Sequence, residues 1–320
     1  MNSSLPSPHL SDSTPGGCLV LPDWGLIRAS GEEAAKFLHS QLTQDFALLD
    51  LSHARLAGYC SAKGRLLATL VGWKQSADEL LLALPAERVA PTLKRLSMFV
   101  LRAKCKLSDA TDAVHLFGLA GPVVQPWLKA QGHEMPAAPW DLLRLGNDAV
   151  LIRLPDGAGM ARFILAQPAQ AAAPDLPVLD AERWLAWDVQ SGLAWVQGAT
   201  VEQFVPQMLN FELLGGVNFQ KGCYPGQEVV ARSQYRGTIK RRSFLFDVAA
   251  PAQIGQELFH SEDPGQPAGM VAAAAASKAG SVLLAEIKLA ALESGSLHLG
   301  SPDGPVLKPQ AMPYAVAEPQ

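Results

Sequence analysis

The sequence predicts an α+β body followed by a C-terminal all-β unit, and two features of the chain support this fold class. Between Cys18 and Gly192, runs that read as strands alternate with amphipathic helical patterns in two successive cycles. After Arg242 the texture changes, and short apolar runs alternate with Gly and Pro turns, as in SFLFDVAAPAQIGQELF and GSVLLAEIKLAAL. That second texture is typical of a small β-barrel or sandwich.

The bulk composition sets the domain count and the class of protein. The 320 residues are 48% hydrophobic and 18% charged, which is enough to bury sizeable cores in two or three domains. We expect a disordered tail over residues 1–17, a body over 18–242 with a linker at about 169–177, and a barrel over 243–320. A net charge of -4 argues against a protein that coats nucleic acid along its whole surface.

The lack of a recognisable secretory signal and the spacing of the cysteines favour a cytoplasmic protein. The N-terminus MNSSLPSPHLSDSTPGG has neither the basic nor the apolar region of a secretory signal. No apolar run approaches the roughly 18 residues of a membrane-spanning helix, so no membrane partner is expected. The four cysteines show no C-x-x-C spacing, which leaves a metal site without support and indicates reduced thiols.

The first cycle can be divided into elements by periodicity and turn residues. A capping box of Ser30 and Glu33 predicts the start of the first helix. A bend at residues 62–64, Ala-Lys-Gly, predicts a strand–turn–strand unit. In order, the cycle contains the strand pair CLVLPDWGLIRAS, the helix SGEEAAKFLHSQLTQD, the strands of LAGYCSAKGRLLATLVGW, the strand DELLLALP, the helix AERVAPTLKRLSMF and the strand in VLRAKCKLSDAT.

The second cycle begins near Val114 and ends in an amphipathic helix. For that helix, DAERWLAWDVQSG, Asp180 is a suitable cap and Gly192 a suitable stop. The elements before it are the strand VHLFGLAG, a short helix PVVQPWLKAQG with Pro122 at its start, and the strands of DLLRLGNDAVLIRL and ARFILAQP.

The stretch NFQKGCYPGQEVVARSQYRGTIKRR concentrates residues with special chemistry. Pro225 suits the first position of a helix, which places Cys223 at or just before the helix N-terminus. Free amide groups there and the charge of Lys221 favour a thiolate, so the pattern indicates a reactive cysteine. The alternative is a small packed residue, which is the commoner role of a single cysteine. The seven histidines are scattered, and none adjoins Cys223 as a partner base.

Acidic and basic side chains recur at four-residue spacing after the cysteine. Glu228, Arg232 and Arg236 share one helical face, and Glu228 can pair with Arg232. Arg236 is then left to hold a carboxylate or phosphate through forked hydrogen bonds. The alternative is an ordinary solvated face.

The segment KGCYPGQEVVAR, residues 221–232, resembles the signature of the YgfZ family of folate-binding proteins. The flanking segments FVPQMLNFELLGGVNFQ and SQYRGTIKRR resemble the same proteins. So do LPDWGLIRASG, SQLTQD, CSAKGR and RWLAWDVQSGL, and these pieces run in the order of the family across nearly the whole chain.

This resemblance implies an aminomethyltransferase-like α+β body around a central cavity, with a C-terminal β-barrel. It implies tetrahydrofolate or a derivative as the cofactor, and iron–sulfur proteins or their assembly machinery as partners. The link to tRNA modification is then indirect, and direct nucleic-acid binding is not expected. The resemblance gives functional roles to Lys221 and Cys223 and folate contacts to Trp24 and Trp184. To the folate set we add Asp188, Gln190, Tyr224, Gln227, Glu228, Arg232 and Arg236.

The chain also departs from the aminomethyltransferase pattern. Those enzymes carry paired aspartates after the turn that corresponds to residues 63–64, where this chain has Ala68 and Thr69. Gln190 replaces a glutamate, and Asp188 is a candidate substitute for it. Losing an acidic group removes proton handling that the transfer reaction needs. Three functions stay open: a folate-binding accessory factor, a one-carbon transferase, and a non-catalytic interaction module. Whether the chain is an enzyme is open as well.

Overall fold

The computed structural model describes residues 16–235 and 239–316, which form three antiparallel sheets and the helices between them. Most of the predicted tail, residues 1–15, lies outside the described part. In chain order, the first half contains β1 (Gly17–Val20), β2 (Trp24–Ser30), α1 (Ala34–Gln41), β3 (Ala54–Cys60), β4 (Leu66–Lys74), β5 (Glu79–Pro85), α2 (Ala86–Val100), β6 (Lys106–Asp109), β7 (Val114–Ala120) and α3 (Val124–Ala130).

The second half contains β8 (Leu142–Gly146), β9 (Ala149–Gly157), β10 (Met160–Pro168), α4 (Ala181–Gln190), α5 (Gln227–Tyr235), β11 (Arg241–Val248), β12 (Glu257–His260), β13 (Asp263–Ser277), β14 (Gly280–Lys288), β15 (Leu297–Leu299) and β16 (Leu307–Pro309). Short 3₁₀ turns lie at Gly198–Thr200, Pro206–Leu209 and Leu289–Leu292. None of the helices in the described ranges is both long and apolar enough to cross a membrane.

The first sheet has the order β3-β4-β5-β2-β6, and the second has the order β1-β7-β10-β9-β8. The first described strand, β1, therefore lies in the second sheet, and the next strand, β2, lies in the first. Trp73, Leu116 and Ile164 belong to one core cluster that joins the two sheets. A second cluster lies between the first sheet and the helices α1 and α2. Because β4 is covered on both faces, its residues 66–73 are all buried, which explains the continuous apolar run in its sequence.

The third sheet has the order β15-β12-β13-β14-β11-β16 and nearly closes on itself. A bridge between His298 and Val306 links the two ends of the sheet. The prediction of an α+β body with a C-terminal β-barrel is thus confirmed. Helix α4 contacts both β9 and the strands β13 and β14, so it joins the body to the barrel-like sheet.

Two of the predicted helix ends are correct and three are wrong, among them Pro122, since α3 begins two residues later at Val124. The carboxylate of Asp180 accepts a hydrogen bond from the Arg183 backbone N–H at 2.8 Å, and Gly192 follows the end of α4 with a φ of 71°. The capping box at Ser30 is wrong, because Ser30 still belongs to β2 and α1 begins only at Ala34. Pro225 does not start a helix either, since α5 begins two residues later at Gln227.

Candidate functional site

The segment that leads to Cys223 is tied to the loop after α1 by hydrogen bonds. The Asn218 N–H donates to the Thr43 carbonyl at 2.9 Å, and the Thr43 hydroxyl donates to the Gly216 carbonyl at 2.6 Å. Thr43 also accepts from the Gly58 N–H at 2.8 Å, which fixes it to β3. The SQLTQD and GGVNFQ segments therefore form one unit beside the first sheet.

A contact between two glycines fixes the other end of the segment. Gly226 has a φ of 80°, and a Cβ added there would lie 2.4 Å from the Ser61 carbonyl oxygen and 2.6 Å from the Gly64 Cα. Gly64, with a φ of 72°, lies in the turn between β3 and β4. A Cβ added at Gly64 would lie 2.8 Å from the Val229 Cβ. Both positions require glycine, because a side chain would break a close backbone approach in a left-handed conformation.

Lys221 is buried, with 8% of its surface exposed, and its ammonium group anchors the loop. The Nζ atom donates to the Leu42 carbonyl at 2.8 Å and to the His39 carbonyl at the end of α1. It also lies 4.8 Å from the centroid of the Tyr224 ring. A cation at the C-terminal end of a helix and over an aromatic face is electrostatically favourable.

Burial lowers the pKa of Lys221 to about 8, although Asp45 and Cys223 act to raise it. Burial also acts to raise the pKa of the Asp45 carboxyl, but hydrogen bonds from the Leu48 N–H and from His39 lower it overall. The His39 Nδ1 lies 3.0 Å from an Asp45 carboxylate oxygen. An amine with a pKa of about 8 is partly neutral slightly above neutral pH, so this loop carries a titratable group in an accessible range.

Cys223 is the exposed one of four cysteines, all of which lie in the described residues. Cys18 and Cys60 are buried, and burial raises the pKa of each to about 12. The predicted location of Cys223 at a helix N-terminus is wrong, because α5 begins four residues after it at Gln227. The effect of a helix dipole falls off within one turn of the helix end, so the α5 dipole has little effect on the Cys223 thiol. The positive charge that acts on Cys223 is that of Lys221.

The remaining predicted residues of this segment are spread over α5 and its start. Tyr224 is buried, and Gln227 Nε2 donates to the Lys221 carbonyl at 3.5 Å. Glu228 and Arg232 are exposed and do not form an ion pair with each other. Arg236 lies outside the described residues.

The aromatic residues of the predicted folate site meet around a buried arginine. Arg162 is fully buried, and its Nη1 donates to an Asp188 carboxylate oxygen at 2.8 Å. Its guanidinium carbon lies 5.0 Å from the centroid of the buried Trp184 ring. The other Asp188 oxygen accepts from the Trp195 Nε1 at 2.9 Å, and the Trp195 ring meets the Trp24 ring edge-on at 4.7 Å. The structure therefore links Trp24, Trp184 and Asp188 in one network.

Sequence reasoning missed Arg162 and Trp195, the two residues that connect this network. One signal was present: Arg162 is a single charge inside the apolar strand pattern ARFIL. A buried charge needs a partner, so that pattern could have predicted an internal carboxylate. Trp195 carried no such signal, because its contact with Asp188 depends on the turn after α4.

A cavity of about 730 Å³ lies beside the C-terminal end of α4. Ser191, next to Gln190, lines it and donates through its hydroxyl to the Asp188 carbonyl at 2.6 Å. Pro155 lines it as well, and its carbonyl accepts from the Arg162 Nε at 3.3 Å. The other lining residues are Pro139, Trp140, Asp156, Gly159, Leu213, Leu214, Gly215, Pro313 and Tyr314.

Trp140 is the strained member of this cavity wall. Its φ is 74°, a backbone region that bulky residues rarely adopt. Its indole Nε1 donates to the Leu214 carbonyl at 3.0 Å, and its backbone carbonyl accepts from the Ala54 N–H at 2.8 Å. Strain that surrounding contacts hold in place is common at binding sites. Sequence reasoning missed Trp140, since nothing in its local pattern predicts a left-handed conformation.

The two positions at which this chain lacks the aspartates expected of an aminomethyltransferase are buried. Ala68 and Thr69 are fully buried in β4, and the Thr69 hydroxyl accepts a hydrogen bond from the Val196 N–H at 2.8 Å. Two arginines after α5 are also engaged, because Arg241 pairs with Glu286 and Arg242 pairs with Glu212 at 2.5 Å. Among the described residues, no group of three or more His, Cys, Asp and Glu side chains is arranged to hold a metal ion.

The fold is that of the aminomethyltransferases. The glycine cleavage system aminomethyltransferase T of Bartonella henselae superposes with a TM-score of 0.72 over 93% of this chain and 86% of that one, at 19% sequence identity. This likeness extends over the body and the barrel-like sheet together.

Sequence relatives make the assignment more specific. The tRNA-modifying protein YgfZ of Sodalis glossinidius is 32% identical over 98% of this chain and 96% of its own length. The protein of the same name from Yersinia pseudotuberculosis is 31% identical over 73% of this chain. The chain belongs to the YgfZ family, as the KGCYPGQEVVAR segment predicts. No protein-family model matches it.

The close contact at Gly226 predicts that two glycine-to-alanine substitutions will lower stability by different amounts. Gly226→Ala should lower the free energy of unfolding by about 3 kcal/mol, because it combines a left-handed backbone with a steric clash. Gly159→Ala is the matched control: its φ is 75°, but a Cβ there would meet nothing within 4 Å, so about 1 kcal/mol is expected. Urea unfolding measures both, and equal losses would contradict the contact.

The buried ammonium group predicts a pH-dependent stability. Because the pKa of Lys221 is about 8 in the folded chain and 10.5 without burial, the unfolded chain binds more protons between those values. The free energy of unfolding of wild type minus that of Lys221→Met should therefore rise as pH increases through this window. Urea unfolding at half-unit pH steps tests this, and a difference that falls with pH would refute the burial of the charge.

Proposed function

We propose that this chain is a folate-binding accessory factor that supports the assembly or repair of iron–sulfur enzymes, and through them tRNA modification. The observation that carries the proposal is the exposed Cys223 on a loop fixed by Lys221 and Gly226. A loop held this firmly presents one thiol to a partner at little entropic cost. Membership of the YgfZ family supports the same role.

The large cavity has the features that a reduced folate needs. A volume of about 730 Å³ is within the usual range for small-molecule sites. The rings of Trp140 and Tyr314 offer faces against which a flat pterin can pack. One Asp156 oxygen accepts from the Arg153 Nη2 at 2.7 Å, and the other is available to the ring N–H groups of a pterin. When bound, tetrahydrofolate supplies a one-carbon carrier.

Arg162 provides a further fit to a pterin. Its Nη2 is buried and has no hydrogen-bond partner, while its Nη1 and Nε are both engaged. An unsatisfied buried N–H is costly. Arg162 is fully buried and does not itself line the cavity, so the proposal requires a ring carbonyl to reach the Nη2 past Pro155, which does line it. In this proposal Gln190 orients the ring, and Asp188 holds Arg162 and Trp195 in place. Trp184 packs against the Arg162 guanidinium, and Trp24 packs against the Trp195 ring.

A one-carbon transferase on the same scaffold is the second candidate. Against it stands the pair Ala68 and Thr69, which offers no carboxylate at the positions where the transferases have aspartates. The Thr69 hydroxyl is already engaged with the Val196 N–H, so it does not replace an acid. A non-catalytic interaction module is the third candidate and predicts no folate binding.

Folate binding can be measured by tryptophan fluorescence. Tetrahydrofolate should quench the fluorescence of wild type, and Trp140→Phe should weaken binding about fivefold because it loses part of the stacking face. Trp127→Phe, on α3, is the matched control and should bind like wild type. Absence of quenching at millimolar ligand, or an equal effect of both variants, would favour the interaction module.

The role of the thiol can be measured in cells that lack the chromosomal gene. Cys223→Ala should fail to restore the activity of an iron–sulfur dehydratase, because it removes the exposed sulfur. Cys105→Ala is the control, since Cys105 is half-buried outside the loop and should restore activity fully. Purified Cys223→Ala should unfold at the wild-type midpoint. Full restoration by Cys223→Ala would refute this role.

A further inference from the structure

A second cavity, of about 280 Å³, lies between α2 and the strands β3 and β4. Its apolar wall consists of Leu67, Pro91 and Met98, and Met98 is 61% exposed at its mouth. It shares no lining residue with the 730 Å³ cavity beside α4. The functions discussed above therefore do not account for it.

Three buried polar atoms of this cavity, in Tyr59, Arg88 and Thr92, have no hydrogen-bond partner. Thr92 is only 2% exposed, and its hydroxyl oxygen is unpartnered, although a helical threonine ordinarily bonds to the carbonyl four residues earlier. The Arg88 Nε is also unpartnered, while its Nη2 donates to the Leu67 carbonyl at 3.1 Å. Buried polar atoms are nearly always paired in native proteins. All three residues line the cavity, so a ligand there can supply the missing partners.

The charge of the cavity is one-sided. Arg88, Lys94 and Arg95 line it, and no carboxylate does. The nearest acid in sequence, Glu87, instead accepts a hydrogen bond from the Gly198 N–H at 2.6 Å. The Tyr59 hydroxyl lies beside Arg95, whose charge acts against the burial that raises the pKa of Tyr59. Burial lowers the pKa of Arg88 and the charge of Glu87 acts to raise it, so Glu87 is a nearby counterion. No acid lines the cavity itself, and its three cations attract an anion.

We propose that this cavity binds a small organic anion, with its phosphate or carboxylate group held by Arg88, Arg95 and the Thr92 hydroxyl. The apolar part of the ligand packs against Leu67 and Met98. The volume of about 280 Å³ suits a single ring bearing one anionic group. A guanidinium and a hydroxyl together give the directed hydrogen bonds that oxyanions require.

Calorimetric titration of the full chain tests the proposal with three probes: phenyl phosphate, benzoate and inorganic phosphate. Phenyl phosphate or benzoate should bind more tightly than inorganic phosphate, because only they fill the apolar wall. The tighter of the two identifies the anionic group. Arg95→Met should weaken that binding at least about tenfold. Lys129→Met, an exposed cation on α3, is the control for net charge and should bind like wild type.

Thr92→Val separates the site from a general surface effect. The substitution removes an unpartnered hydroxyl at constant shape, so the ligand-free variant should unfold at or above the wild-type midpoint while binding the probe about threefold to tenfold more weakly. Three results would each overturn the proposal: no probe binding at 10 mM, equal weakening by Arg95→Met and Lys129→Met, or a Thr92→Val variant that binds like wild type.

Discussion

The structure depends on one close backbone approach, between the turn that joins β3 to β4 and the start of α5. Neither Gly64 nor Gly226 has room for a side chain, so the two segments touch through their backbones. Lys221 adds a second fixed point five residues earlier, through the carbonyl groups of His39 and Leu42. Between these points the chain has little freedom, and Cys223 is exposed to solvent.

The same segment also connects the thiol loop with the large cavity. Residues 213–215 line that cavity, and residues 216–218 bind Thr43 through hydrogen bonds on the way to Lys221. A ligand in the cavity thus contacts the chain eight residues before the exposed sulfur. In the proposed function this segment would couple a small-molecule site to the exposed thiol. Ala68 and Thr69, both buried, supply no carboxylate.

The features that could be predicted from the sequence are those encoded by local residue patterns and by the KGCYPGQEVVAR segment. Strand and helix types, the barrel-like third sheet and the family followed from periodicity, turn residues and KGCYPGQEVVAR. Helix starts were less predictable, because Pro225 and Ser30 have the right chemistry but lie before the helices that tertiary contacts allow. The network of Arg162, Asp188 and Trp195 needed the structure, since it joins β10, α4 and the following turn across distant parts of the sequence.

The central claim is that a reduced folate occupies the cavity beside α4, with its pterin ring near Arg162. A crystal structure of the chain grown with tetrahydrofolate tests this most directly. The account predicts ligand density between Trp140 and Tyr314, with a pterin oxygen within hydrogen-bonding distance of the Arg162 Nη2. Density at a different place on the chain, or an unchanged cavity at saturating ligand, would contradict it.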